Sequence, residues 1–179
     1  ADGCAYLDAT AEGGTMYWYW VEAIGVSDTT KCETPVSGFK RRTFPITYSN
    51  LQGTTHSNPS TYAEGVGVTF SAPSARAGYT FTGWTPSAVT EKSVGAVNVT
   101  AGWSVNSYAV KFNANGGTGT MANEAMTYDV EKTLAVCAFT RTGYAFAGWA
   151  TSADGAVEYA NGVAVKNLAT SGTAMLYAK

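Results

Sequence analysis

The sequence predicts a mainly β protein that carries a duplicated unit. Apolar and polar residues alternate with period two in many short runs, while helical periodicity is hard to find. Turn residues punctuate those runs at short intervals. The stretch Gly-Tyr-Thr-Phe-Thr-Gly-Trp at residues 78–84 returns as Gly-Tyr-Ala-Phe-Ala-Gly-Trp at 143–149, with the glycines and aromatics kept.

The first predicted strand is 15–23, a run of β-formers. It sets Tyr17, Tyr19 and Val21 on one face and Trp18, Trp20 and Glu22 on the other. Strands are then predicted over 44–50, 67–72, 79–84, 97–103, 108–114, 144–150 and 174–179. Turns are predicted at Glu12-Gly13-Gly14, Asn115-Gly116-Gly117, Asp154-Gly155 and Asn161-Gly162. Asn-Gly and Asp-Gly pairs accept the positive φ that tight turns need. The stretch 78–84 reads as a central strand with Tyr79 and Phe81 on one face and Trp84 on the other.

Composition narrows the function classes. Of 179 residues, 45% are hydrophobic, enough for a packed core, and only 13% are charged, about half the usual share. The formal net charge of -2 gives no basic face for nucleic acid or for anionic lipid. No apolar run approaches the roughly 20 residues that cross a bilayer, so no membrane insertion is expected. The first residues, Ala1-Asp2-Gly3-Cys4, lack the basic start and apolar core of a signal peptide, and the chain reads as a mature piece or part of something longer.

The repeat organises the chain. Ile46-Thr47-Tyr48 aligns with Val110-Lys111-Phe112, and Gly53 with Gly117. Thr61-Tyr62 aligns with Thr127-Tyr128, and Arg76-Ala77-Gly78-Tyr79 with Arg141-Thr142-Gly143-Tyr144. Repeat 2 then carries an extra stretch before its last strand. The expected divisions are an N-terminal β segment (1–41), repeat 1 (42–106) and repeat 2 (107–179).

Repeat 2 resembles the Listeria–Bacteroides repeat, also described as the internalin B-type repeat. The motifs that carry this are the opening strand with Asn-Ala-Asn-Gly-Gly (113–117), Thr-Tyr-Asp-Val-Glu-Lys-Thr-Leu (127–134), Phe-Thr-Arg-Thr-Gly-Tyr-Ala-Phe-Ala-Gly-Trp (139–149) and the closing Met-Leu-Tyr-Ala-Lys (175–179). Repeat 1 resembles a divergent copy that has lost the Asn-Gly-Gly turn. The resemblance implies small β-grasp-like modules, α+β at most, found in tandem in bacterial surface and secreted proteins. It implies roles in adhesion or in spacing other domains, and it brings no catalytic residues. Residues 6–41 resemble the last strands of a fibronectin type III-like domain, through Gly14-Thr15-Met16-Tyr17 and Val21-Glu22-Ala23.

The remaining residues offer little chemistry. The single histidine, His56, sits in a polar loop without a nucleophile elbow and is expected to be exposed. One His and three scattered Cys lack the paired spacing of zinc sites, and no clustered Asp loop marks calcium. No two of the 13 acidic residues stand out as a glycosidase pair, and the glycine-rich 113–119 lacks the Lys-Ser/Thr of a phosphate loop. Cys4 and Cys32 could pair, leaving Cys137 as a small buried hydrophobe. Trp84 and Trp149 recur at matching places, as core residues do.

The expected protein is therefore non-catalytic and uses no cofactor or metal. It is extracellular, secreted or at a cell surface, and acts in adhesion or as a stalk. Its partner is expected to be a protein or glycan on a host or neighbouring cell surface. The alternative is a carbohydrate-binding accessory module of a glycan-degrading enzyme, with Trp18 and Trp20 as candidate ligand-binding residues, since aromatic faces stack on ligands. Exposed strand edges also invite self-association through the N-terminal segment.

Overall fold

A computed structural model describes residues 10–19, 22–24, 29–31 and 36–179. Cys4, Trp20 and Cys32 lie outside them, and so does any pairing of the two cysteines. Among the described residues there are strands and no helix, so the fold is mainly β.

The strands, in chain order, begin with β1 (Met16–Tyr19), β2 (Glu22–Ile24), β3 (Thr29–Lys31) and β4 (Val36–Phe39). Repeat 1 supplies β5 (Thr43–Ser49), β6 (Thr61–Ala63), β7 (Val68–Thr69), β8 (Tyr79–Thr85), β9 (Ala88–Val89) and β10 (Val97–Val105). Repeat 2 supplies β11 (Ser107–Asn113), β12 (Glu124–Thr127), β13 (Lys132–Thr133), β14 (Trp149–Ala150), β15 (Ala164–Val165) and β16 (Gly172–Ala178). β1 pairs antiparallel with β4, and β2 with β3. The β-former run at 15–23 is therefore shared between two strands, where one was expected.

Each repeat builds the same four-stranded sheet. The orders are β6-β5-β10-β8 and β12-β11-β16-β14. In both, a hairpin strand pairs parallel with the last strand of the repeat: β5 with β10, and β11 with β16. Two-stranded ladders, β7-β9 and β13-β15, complete the repeats. Alternation decides the core. Along β5 and β10 only Ile46, Val99 and Ala101 are buried, and β11 buries Tyr108 and Val110. In repeat 2 these join Met126, Leu134, Trp149, Val165 and Leu176 in one cluster.

Three expectations are corrected. Residues 78–84 were expected to be a central strand, but β8 is at a sheet edge and the parallel pair is central. Residues 144–150 were expected to be a strand, but only Trp149–Ala150 pair. Trp149 and Ala150 pair with Ala178 and Tyr177 of β16, and beside them the Ala147 N–H donates to the Lys179 carbonyl at 2.7 Å and the Lys179 N–H to the Gly148 carbonyl at 2.9 Å. Finally, Phe44 pairs with Tyr62 and Tyr108 with Met126, so Tyr62 corresponds to Met126 and both are core. The residues equivalent to Tyr128–Asp129 are thus Glu64–Gly65, which occupy the same turn after β6 as Tyr128–Asp129 do after β12.

The chain forms two compact units. The first comprises the described residues up to Asn50 together with 57–71 and 84–100. The second comprises 51–56, 72–83 and 101–179. The second unit thus contains the segments of repeat 1 that meet repeat 2.

Candidate functional site

The repeated Arg-x-Gly-Tyr sequence folds into the same turn twice. The Tyr79 N–H donates to the Arg76 carbonyl at 3.1 Å, and the Tyr144 N–H donates to the Arg141 carbonyl at 3.1 Å. Gly78 and Gly143 hold φ of 73° and 79°, a region that L side chains enter at a cost. The turn lays each arginine over the tyrosine ring, 3.6 Å from the Tyr79 centroid and 4.3 Å from that of Tyr144. This is the geometry of a cation–π contact.

In repeat 1 this turn is used. The Tyr79 hydroxyl donates to Asp129 Oδ2 at 2.8 Å, and its ring meets Tyr128 edge-on at 6.0 Å. Gly78 is buried so closely that a Cβ there would overlap the Tyr128 ring. Asn106, between β10 and β11, ties the two repeats together. Its N–H donates to the Gly78 carbonyl and its own carbonyl accepts from the Tyr128 N–H, both at 2.9 Å. Its side-chain oxygen accepts from the Thr80 hydroxyl at 2.6 Å, and its amide nitrogen donates to the Thr170 carbonyl at 3.0 Å. Asp129 is fixed in turn by Asn167, which donates from Nδ2 at 2.9 Å and accepts the Asp129 N–H at 2.7 Å.

The electrostatics follow from these contacts. The Asn167 and Tyr79 hydrogen bonds, with help from Lys166 and Arg76, hold the Asp129 carboxyl below its ordinary range. The Asp129 hydrogen bond pushes the Tyr79 phenol up.

In repeat 2 the same turn is open. Tyr144 is 69% exposed, Arg141 is exposed, and nothing lies within 4 Å of a Cβ built on Gly143. A groove of about 360 Å³ runs beside it, walled by Phe139, Arg141, Tyr144, Phe146, Ala178 and Lys179. In repeat 1 an indole occupies the corresponding space: Trp103 meets Phe81 edge-on at 5.4 Å and lies 5.7 Å from the Arg76 guanidinium. Aromatic walls with a cation at one end suit a flat, apolar side chain.

The candidates read from the sequence lie elsewhere. Trp18 is on β1, 59% exposed and on the same face as exposed Met16, opposite half-buried Tyr17. Trp20 lies outside the described residues. His56 was expected to be exposed but is half-buried. Its loop is pinned by the Thr55 and Ser74 backbone bonds, with Ser74 donating to the Thr55 carbonyl at 2.8 Å and Thr55 to Ser74 Oγ at 3.0 Å. Cys137 is a half-buried free thiol packed against the repeat 2 core, its N–H held by Asn161 Oδ1 at 2.8 Å. Sequence reasoning treated Arg-x-Gly-Tyr as an alignment marker and missed Arg141 and Tyr144 as a surface. The signal was present in the aromatic ring that follows a turn glycine and an arginine.

Comparison with protein families matches residues 44–107 to the divergent InlB B-repeat domain and residues 108–179 to the Listeria-Bacteroides repeat domain. The chain therefore carries the two repeats in tandem. These repeat families are found in bacterial surface proteins. No curated protein and no solved structure matches the chain.

Proposed function

We propose that the chain is a non-catalytic, extracellular part of a bacterial surface or secreted protein, whose tandem repeats act in adhesion or as a stalk. One observation carries the reading: two surface-protein repeats in succession, joined by a hydrogen-bonded junction at Asn106. Every polar group of Asn106 is used there, which holds one repeat against the next as a spacer requires. Binding of the isolated chain to host cells or matrix, above a scrambled-surface control, supports adhesion. Absence of binding, when the longer protein that contains the chain adheres, assigns these repeats to spacing.

A second reading is a carbohydrate-binding accessory module. The exposed indole of Trp18 is the observation in its favour, since flat aromatic faces stack on sugar rings. A glycan array without signal sinks this reading, and so does a signal that Trp18→Ala and Trp20→Ala leave unchanged.

A further inference from the structure

We propose that Lys40-Arg41-Arg42 is a processing site for an endopeptidase that cuts after basic residues, and that Glu64 latches it. Cleavage there parts the two repeats, still joined to each other, from the segment that precedes them.

The triplet is singular in the sequence. The chain has 11 Lys and Arg, and these three are the only ones that adjoin one another. They lie in the coil between β4 and β5, and all three are exposed. The corresponding place before repeat 2 is Ser104-Val105-Asn106. Arg42 and Asn106 match by their backbone bonds. The Arg42 carbonyl accepts the Glu64 N–H at 2.8 Å, as the Asn106 carbonyl accepts the Tyr128 N–H at 2.9 Å. A protease with a carboxylate at the base of its specificity pocket therefore finds its substrate at one junction and nothing at the other. The glutamate does not account for the cluster, since its carboxylate pairs with one of the three cations, Arg42.

The same contacts close the site. A protease draws residues on both sides of the scissile bond into extended form, so cutting a folded segment waits for local opening. The Glu64 carboxylate accepts from Arg42 Nε at 2.9 Å and from Nη2 at 2.8 Å, and the Glu64 carbonyl accepts from Arg41 Nη1 at 3.1 Å. Both arginine side chains are thus held on one residue of the turn after β6. From the other side the Gly14 N–H donates to the Lys40 carbonyl at 2.7 Å, and a Cβ on Gly13 or Gly14 would overlap Arg42. These are polar contacts at the surface, the class that opens first. Hydrolysis adds one water across the bond and leaves a carboxylate on the residue before the cut and an amine on the residue after it. An exposed ion pair is then too weak to hold the two pieces together.

The test is limited digestion of the 179-residue chain with trypsin at neutral pH, followed by intact mass and gel filtration. The first cut is expected after Lys40, Arg41 or Arg42, and the fragment that runs from there to Lys179 elutes without the N-terminal piece. Glu64→Gln, which leaves the triplet itself untouched, is expected to speed this cut by about threefold or more. Lys92 is the internal control, exposed in the loop after β9, and its rate of cleavage should not change. A first cut after any other Lys or Arg overturns the processing site, and so do fragments that elute together. Equal rates at the triplet with and without Glu64→Gln overturn the latch. A rise shared in proportion by Lys92 also overturns it, because general unfolding then explains the gain.

Discussion

At the residue scale, two tryptophans share a position and differ at their polar end. Trp149 is fully buried among Phe112, Phe139 and Phe146, with Phe112 and Phe146 both at 4.9 Å. Among the described residues its Nε1–H finds no acceptor. Trp84, also buried, donates its Nε1–H to the Ser71 carbonyl at 2.9 Å. Trp149→Ala is expected to cost about 3–5 kcal/mol, from lost transfer energy and a cavity. Trp149→Phe should cost far less, since it keeps a ring and removes a buried donor that lacks a partner. Trp84→Phe should cost more than Trp149→Phe, because it also breaks a made bond. Chemical denaturation of the three variants ranks them, and a Trp149→Phe loss equal to that of Trp149→Ala contradicts the account. The two glycines allow a second comparison. Gly143→Ala meets open space and should cost about 1–2 kcal/mol, from the left-handed φ alone. Gly78→Ala carries the same strain and also drives a methyl into the Tyr128 ring, so it should cost clearly more in a melting curve. Equal losses would mean that the ring moves aside freely.

At the element scale, the junction between β10 and β11 predicts a pH dependence. The Asp129 carboxyl titrates below its ordinary range, held down by Asn167 and Tyr79, with Lys166 and Arg76 also facing it. Its contribution is therefore complete above the unfolded pKa and is lost as pH falls through the lower folded value. Tyr79 titrates above 10.0, so its contribution is complete below the unfolded value and is lost as pH rises through the folded one. The junction should hold across neutral pH and loosen at both extremes. Glu64 and Glu158 are also held low, by Arg42 and Thr151, and add to the acid side. The Asp129 share is thus the difference between the natural chain and Asp129→Asn. That difference in thermal stability should shrink as pH falls below the ordinary aspartate range. A difference that is constant with pH removes the carboxylate from the account.

The same elements show what was legible in the sequence. Strands whose apolar alternation is complete within the segment were read well, as with 44–50, 97–103 and 108–114 against β5, β10 and β11. Residues 144–150 have the same pattern, yet only Trp149–Ala150 form a ladder with β16, with Ala147 and Gly148 hydrogen-bonded to Lys179 beside it. Pairing is a property of the neighbour and does not appear in local periodicity. The repeat alignment slipped at Tyr62 because it matched a tyrosine to a tyrosine. The sheet matches core to core, Tyr62 with Met126, and aligns Gly65 with Asp129, which take the same turn at φ of 74° and 59°. An aspartate tolerates that region, so the turn persists without its glycine. Arg141 and Tyr144 were visible as letters, but whether they are covered depends on what lies opposite, and only the second occurrence in the fold reveals it.

At the scale of the whole molecule, the second compact unit gathers 51–56, 72–83 and 101–106 of repeat 1 with all of repeat 2, and Asn106 is the residue both parts share. Its two side-chain bonds are worth about 0.5–1.5 kcal/mol each, so Asn106→Ala should cost roughly 1–3 kcal/mol while the two backbone bonds remain. The effect on cooperativity should exceed the effect on stability. In the natural chain those parts of repeat 1 should melt with repeat 2, because each would otherwise expose Gly78, Tyr79 and Tyr128. With Asn106→Ala, exchange at residues 79–83 should rise well before exchange in the repeat 2 core at Val110 and Leu176. Calorimetry should show the enthalpy of the transition exceeding its van't Hoff value. If residues 79–83 and Val110 keep one common opening rate in the variant, β10 and β11 couple the repeats through the backbone alone, and the side chain of Asn106 is not what joins them.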